Sequence, residues 1–130
     1  RLIVENIMQS IQDVAIVSKN DNLRKVVIEM TEKPQGAALV IDENNQLIGI
    51  ITDGDLRRAL ANEKDIDMIA AIDLMTQNPI AININSPLKE AIILMEDRKS
   101  QISVLPVVKN DGKTCAGLLR LHDIYQKNLF

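Results

Sequence analysis

The stretch Gly49-Ile50-Ile51-Thr52-Asp53-Gly54-Asp55-Leu56 returns in altered form as Gly117-Leu118-Leu119-Arg120-Leu121-His122-Asp123-Ile124, 68 positions later. Two more pairs of segments keep nearly the same spacing: Asp21–Met30 with Ser86–Met95, and Leu39–Asp42 with Pro106–Lys109. Self-similarity at a fixed spacing is the mark of a repeat architecture. The 130 residues are therefore predicted to be two copies of one unit, 1–65 (with a linker from about residue 62) and 66–130.

Each copy is predicted to fold in the order β-α-β-β-α. A capping residue, Asp21 or Ser86, precedes apolar residues at helical spacing, and a polar turn separates the last two strands. The predicted strands are Ala15–Val17, Ala37–Ile41 and Leu47–Thr52 in copy one, and Ile80–Ile84, Val104–Val108 and Cys115–Arg120 in copy two. A closing helix follows in each copy, at about Asp55–Ala61 and about Asp123–Leu129.

The size of the unit then predicts the architecture. A unit of roughly 55–60 residues buries too little surface to be stable alone. Its strands are apolar at most positions, which indicates cover on both faces. We therefore expect an α/β (α+β) protein whose two β-α-β-β-α repeats pack sheet to sheet about a pseudo-twofold axis. Such packing leaves grooves lined by strand ends and helix starts, where ligand sites are common.

The composition excludes several classes of function. Tyr125 and Phe130 are the only aromatic rings, so a stacking platform for single-stranded nucleic acid is excluded. Fifteen basic residues against eighteen acidic ones give a net charge of −3, which argues against a nucleic-acid partner. One cysteine, Cys115, and one histidine, His122, cannot build a zinc site, and no catalytic constellation is recognisable. Without an apolar run of about 18 residues, we expect no membrane contact and a cytoplasmic location.

The turn from strand to helix after Ile51 is the best candidate for a ligand site. Backbone N–H groups at such a turn suit phosphate, and Gly54 allows close approach of a ligand. Thr52 offers a hydroxyl and Asp55 a carboxylate that can accept from a ribose diol. Arg57 or Arg58 can offset anionic charge. The competing interpretation is that Asp53 or Asp55 only caps a helix and that the arginines form a solvated face.

These residues also carry a resemblance. The pattern Gly-apolar-apolar-Thr-x-x-Asp, after a strand and a polar turn and repeated in tandem, resembles the cystathionine-β-synthase (CBS) domain, whose tandem pairs are called Bateman modules. The longer strings Gly49–Arg58 and Leu119–Ile124 are similar to the C-terminal CBS pair of bacterial D-arabinose 5-phosphate isomerases of the capsule and lipopolysaccharide pathway. In that family the pair follows an N-terminal sugar-isomerase domain.

The resemblance implies roles for individual residues. Thr52 is expected to contact phosphate and Asp55 to hold ribose hydroxyls. Copy two keeps Asp123 but has Arg120 in place of the hydroxyl residue and His122 in place of Gly54, so the two sites are not expected to be equivalent. The candidate ligand-binding residues are Ala37, Thr52, Asp53, Asp55, Arg58, Arg120, His122 and Asp123, and none is assigned a catalytic or metal-binding role.

Two functions follow as hypotheses. The first is a non-catalytic sensor that binds AMP, ATP or a cytidine-linked sugar (CMP-Kdo-like) between the repeats and modulates an attached isomerase. No cofactor is expected to be required. The second is a ligand-free assembly module that forms a homodimer through the CBS pairs. A free-standing enzyme is the least favoured interpretation.

Overall fold

The computed structural model describes residues 1–62 and 65–127. It divides into two compact units. One comprises Val14–Pro79, and the other comprises Arg1–Asp13 together with the chain from Ile80 onward. None of the helices in these ranges is long and apolar enough to cross a membrane.

The unit Val14–Pro79 contains a four-stranded sheet in the order β2-β3-β4-β5. Its strands are β2 (Ala15–Val17), β3 (Ala37–Ile41), β4 (Leu47–Thr52) and β5 (Thr76–Gln77). Strands β2 and β3 are parallel, whereas β3–β4 and β4–β5 are antiparallel. The helices are α1 (Leu23–Glu32), α2 (Asp53–Asn62) and α3 (Ala71–Leu74). Helix α2 follows β4 without an intervening loop, which places the candidate motif at the junction.

The second unit repeats this plan with a sheet in the order β1-β8-β7-β6. Its strands are β1 (Gln9–Ser10), β6 (Ile82–Asn83), β7 (Val104–Val108) and β8 (Cys115–Arg120). The parallel pair is β6–β7, and β7–β8 and β1–β8 are antiparallel. The helices are α4 (Leu88–Glu96) and α5 (Leu121–Gln126), and α5 also follows its strand directly.

Each unit has its own apolar core, in which helix residues at i, i+3 and i+7 spacing pack on the sheet. In the unit Val14–Pro79 the α1 residues Leu23, Val26 and Met30 are buried with Val40 and Ile51. In the other unit the buried α4 residues are Leu88, Ala91 and Met95. The mixed helix-and-sheet fold class expected from the sequence is confirmed.

The compact units divide the chain differently from the sequence halves 1–65 and 66–130. Strand β5, from the second half, pairs with β4, and β1, from the first half, pairs with β8. The exchange is tight, because a Cβ atom added to Gly117 would overlap the backbone carbonyl of Gln9. The cause is that each repeat is preceded by a short segment that adds an edge strand to the sheet of the other repeat. The division of the sequence into the halves 1–65 and 66–130 describes the repeats and stays a prediction.

Element bounds agree closely with the sequence where strands are long. Strands β2, β3, β4, β7 and β8 have the predicted limits, whereas β6 is shorter than Ile80–Ile84. The predicted cap of α1 is wrong: Asn22 accepts from the Lys25 N–H at 2.9 Å, while Asp21 accepts from the Ser18 N–H.

The starts of three more helices also differ from the predictions. The predicted cap Ser86 is also wrong, since Pro87 holds the N-cap position and α4 begins one residue later than predicted, at Leu88. Helices α2 and α5 begin two residues earlier, at Asp53 and Leu121, because they continue directly from strands. The predicted end of the last helix, Leu129, lies outside the described residues.

Candidate functional site

The first motif forms a reciprocal cap at the start of α2. The Thr52 N–H donates to Asp55 Oδ2 at 2.8 Å, and the Thr52 hydroxyl lies 3.1 Å from the same oxygen. In return, the Asp55 N–H lies 3.4 Å from Thr52 Oγ1. This is the geometry of a capping box, which satisfies N–H groups that a helix start leaves open. Asp55 therefore caps α2, and its contact with a ligand stays a prediction.

Arg58 covers the remaining oxygen of Asp55. Its Nη2 atom lies 2.6 Å from Asp55 Oδ1, one helical turn away. The Arg58 side chain is 69% exposed, whereas that of Asp55 is 15% exposed. Gly54 leaves space for this arrangement, since an added Cβ would lie 3.2 Å from Arg58 Nη1. Because the Arg58 side chain is largely exposed, this ion pair contributes little to stability.

Two other candidates of the first motif lie close by without joining this network. Ala37 pairs in register with Thr52 across β3 and β4, and it is fully buried. Its small side chain therefore lies next to the motif but is closed to solvent. Asp53 is exposed at the first position of α2. Contact of either residue with a ligand stays a prediction.

The second motif holds its carboxylate in a different way. Arg120 donates to Asp123 through both Nε (2.8 Å) and Nη2 (2.6 Å), a bidentate ion pair. Both side chains are largely buried, with 21% of Arg120 and 14% of Asp123 exposed. Burial by itself raises the pKa of Asp123. The hydrogen bonds from Arg120 and Gln9 lower this pKa, and the net pKa lies below the usual value. Arg120 here binds the motif's own carboxylate.

Gln9 contacts the second motif, and nothing in the sequence indicated this contact. Its Nε2 atom donates to Asp123 Oδ2 at 3.0 Å. The contact depends on the pairing of β1 with β8, which sets Gln9 opposite Leu118. In the other repeat the same place is taken by Thr76, opposite Ile50, and Thr76 is exposed. The repeat spacing could have aligned Gln9 with Thr76, but only the exchange of edge strands shows which motif Gln9 reaches.

His122 and Cys115 have contrasting surroundings. His122 is exposed at the second position of α5, between the paired Arg120 and Asp123. Cys115 is buried in β8, and burial raises the pKa of its thiol to about 11. A protonated, buried thiol is a poor nucleophile and metal ligand. Within residues 1–62 and 65–127, no cluster of histidine, cysteine and acidic side chains has the geometry to hold a metal ion.

A scan against protein-family models matches the CBS domain twice, at residues 4–62 and 70–128. The two matches together cover most of the chain. This chain is a tandem pair of CBS domains. Each match contains one copy of the motif, with Thr52 and Asp55 in the first CBS domain and Arg120 and Asp123 in the second.

Comparison with individual proteins agrees with this assignment. The chain is 40% identical over 126 residues to arabinose 5-phosphate isomerase KdsD of Francisella tularensis, covering 97% of this chain and 37% of that protein. It is 32% identical over 121 residues to KdsD of Escherichia coli K12, covering 93% of this chain and 36% of that protein. The chain thus spans little more than a third of the length of these relatives.

Among solved structures, the complex of CBSX2 with AMP superposes with a TM-score of 0.84 at 25% sequence identity. The match covers 99% of this chain and 97% of that chain, and CBSX2 comes from Arabidopsis thaliana. A CBS pair of nearly the same extent as this chain therefore binds an adenine nucleotide.

Proposed function

We propose that this CBS pair is a sensor that binds a nucleotide or sugar nucleotide at the first motif. The observation that carries the proposal is the state of Asp55: its carboxylate is mostly buried, and among residues 1–62 and 65–127 the exposed Arg58 is its one side-chain partner beyond its own cap. The ribose hydroxyls of a ligand would donate to Asp55, and Thr52 would contact a phosphate. Helix α2 begins at this point, and the N–H groups and dipole of a helix start favour an anion.

The complex of CBSX2 with AMP supports an adenine nucleotide as one ligand class. AMP, ATP and a cytidine-linked sugar are the ligands that we propose to compare. No catalytic role is proposed for this chain. Asp123, Arg120 and His122 form the weaker second site, since a ligand there must break a bidentate pair and the hydrogen bond from Gln9.

The relatives named arabinose 5-phosphate isomerase support a role in the regulation of an enzyme. We propose that this CBS pair belongs to a cytoplasmic isomerase that interconverts D-arabinose 5-phosphate and D-ribulose 5-phosphate, with an N-terminal sugar-isomerase domain. Ligand binding would shift the arrangement of the repeats and thereby change isomerase activity. Such coupling is limited by the difference in ligand affinity between the two arrangements, typically about 1–3 kcal/mol.

Calorimetric titration of the chain with AMP, ATP and a cytidine monophosphate sugar tests the binding step. Asp55→Asn should weaken nucleotide binding by about 10–150-fold, because a charge-assisted hydrogen bond contributes about 1.5–3 kcal/mol. Asn keeps an acceptor oxygen for the Thr52 N–H, and circular dichroism checks that the variant is folded. Asp67→Asn, which removes one exposed carboxylate elsewhere in the same unit, is the matched control. Equal affinities for the wild type and Asp55→Asn would overturn the assignment of the site.

A ligand-free assembly module is the second candidate, and exposed apolar side chains favour it. Val27 and Ile28 on α1 are 39% and 45% exposed, and Ile66 in the same unit is 45% exposed. Burial of such side chains against a second copy would stabilise a homodimer. Light scattering that shows a dimer, together with no thermal shift from any nucleotide, would favour this function over the sensor.

A further inference from the structure

A cleft of about 590 Å³ lies beside the first motif, within the unit Val14–Pro79. Asp55 and Arg58 belong to its lining, so the cleft adjoins the proposed ribose site. Met68 and Ile69 contribute apolar surface to the same lining. The volume lies within the range of about 300–1,000 Å³ that is typical of small-molecule sites.

The described lining of this cleft contains three carboxylates and one cation. Asp55, Asp65 and Asp73 are the acidic side chains, and Arg58 is the basic one. Asp65 Oδ1 accepts from the Asp67 N–H at 3.2 Å, and Asp73 Oδ2 accepts from the Ala70 N–H at 2.9 Å. Each of these two carboxylates thus engages backbone through one oxygen and keeps its negative charge at the cleft.

This arrangement restricts the charge that a ligand can carry. When the ribose takes the place of Arg58 on Asp55, the freed guanidinium can pair with one phosphate, because its side chain is 69% exposed and linked to a single partner by the 2.6 Å bond. A second or third phosphate in the cleft would meet Asp65 and Asp73 and no further cation of the described lining. Like charges about 4 Å apart repel by about 1 kcal/mol even in water.

We infer that this cleft makes the chain selective for a nucleotide with a single phosphate over nucleoside polyphosphates. The inference rests on the proposed function, since it concerns the ligand of the same motif. Asp55 anchors the ribose, Arg58 neutralises the first phosphate, and Asp65 and Asp73 oppose the next ones. The selectivity therefore resides in carboxylates outside the repeated motif.

Titration calorimetry with AMP, ADP and ATP on the chain tests this inference. At low ionic strength the affinity should fall by about threefold or more with each added phosphate, and the difference should shrink as salt is added. Asp65→Asn should raise the affinity for ATP more than that for AMP and so reduce the preference by about threefold. Asn is as good a helix cap as Asp, so the turn at residue 65 should be retained.

Asp67→Asn is the matched control, because Asp67 is exposed in the same turn and is not part of the cleft lining. It should leave the ratio of AMP to ATP affinity unchanged. If AMP binds and Asp55→Asn weakens it, but ATP binds as tightly as AMP, the selectivity is overturned and the proposed function stands. If none of the three nucleotides binds, the proposed function and this inference both fail.

Discussion

The two motifs occupy equivalent positions in their repeats, yet their carboxylates have different partners. Asp55 is bound by the cap residue Thr52 and by the exposed Arg58. Asp123 is bound bidentately by Arg120, which stands where the first repeat has the hydroxyl residue, and by Gln9 from β1. The two carboxylates are almost equally buried, with 15% and 14% exposed, and the difference lies in the arginines: Arg58 is 69% exposed, whereas Arg120 is 21% exposed and bidentate.

The difference indicates that two copies of a duplicated motif can take on different roles. The first motif has the hydroxyl and the glycine, and its carboxylate is paired with an exposed arginine. The second motif uses the equivalent carboxylate to hold the edge strand β1 on its sheet through Gln9. The proposal of one responsive site and one structural site is built on this comparison, and three sets of variants test the comparison through stability.

The edge-strand contact should give the largest effect. Gly117→Ala places a Cβ on the backbone carbonyl of Gln9 and should cost about 1–3 kcal/mol, because backbone atoms cannot move aside easily. Gly49→Ala, the equivalent change in the other repeat, meets the Met75 side chain from Cβ to Sδ rather than backbone, and should cost less because that side chain can change rotamer. Urea denaturation of both variants measures the difference. Equal losses would mean that the two edge strands are held alike.

The next largest difference in stability should be between variants of the two arginines, Arg120 and Arg58. Arg120→Ala leaves Asp123 largely buried without its bidentate partner and should lower the free energy of unfolding by about 1–2 kcal/mol. Arg58→Ala removes an exposed ion pair and should change stability by less than about 0.5 kcal/mol. Arg120→Lys keeps the charge but not the planar fork, so it should restore only part of the loss. Thermal unfolding of the three variants orders them, and a larger loss from Arg58→Ala would contradict the comparison.

The smallest effect concerns acid stability. The pKa of Asp123 is lower in the folded chain than its ordinary value of 3.8, so the unfolded state binds the proton more readily. The stability contributed by Asp123 is therefore fully present above about pH 4 and is lost as the pH falls through the folded pKa. Asp123→Asn should flatten this part of the curve of stability against pH. An unchanged slope in the variant would show that the Arg120–Asp123 pair does not contribute there.

The sequence alone predicted the longer strands, the main helices and the motif, but it did not predict the exchange of edge strands. Strands such as β4 and β8 were predictable because long apolar runs between turn residues leave few alternatives. Strands β1 and β5 have two residues each and no periodicity, so nothing local indicated that Gln9 pairs beside Leu118. The caps shifted by one residue for a similar reason, since Asp21 and Asn22 are both good capping residues and tertiary contacts select between them.

The kinds of side chain at the site were predictable from the sequence, but their hydrogen-bond partners were less so. Thr52 and Asp55 could be named from their spacing, and their mutual hydrogen bonds also agree with the capping interpretation. That Arg58 rather than Arg57 reaches Asp55 follows from the helix, because residues three apart share a face. The role of Arg120 depends on its bidentate bond to Asp123, which Gln9 also reaches, and no single-sequence pattern reports these partners.

Titration calorimetry of AMP on Asp55→Asn and Asp123→Asn, prepared in parallel, tests the division between the motifs most directly. Both variants replace one carboxylate by an amide of the same shape at equivalent positions. The account predicts that Asp55→Asn weakens AMP binding at least about tenfold, whereas Asp123→Asn leaves the affinity at the first motif unchanged and lowers the thermal midpoint. Loss of AMP binding in Asp123→Asn, with normal binding in Asp55→Asn, would contradict it.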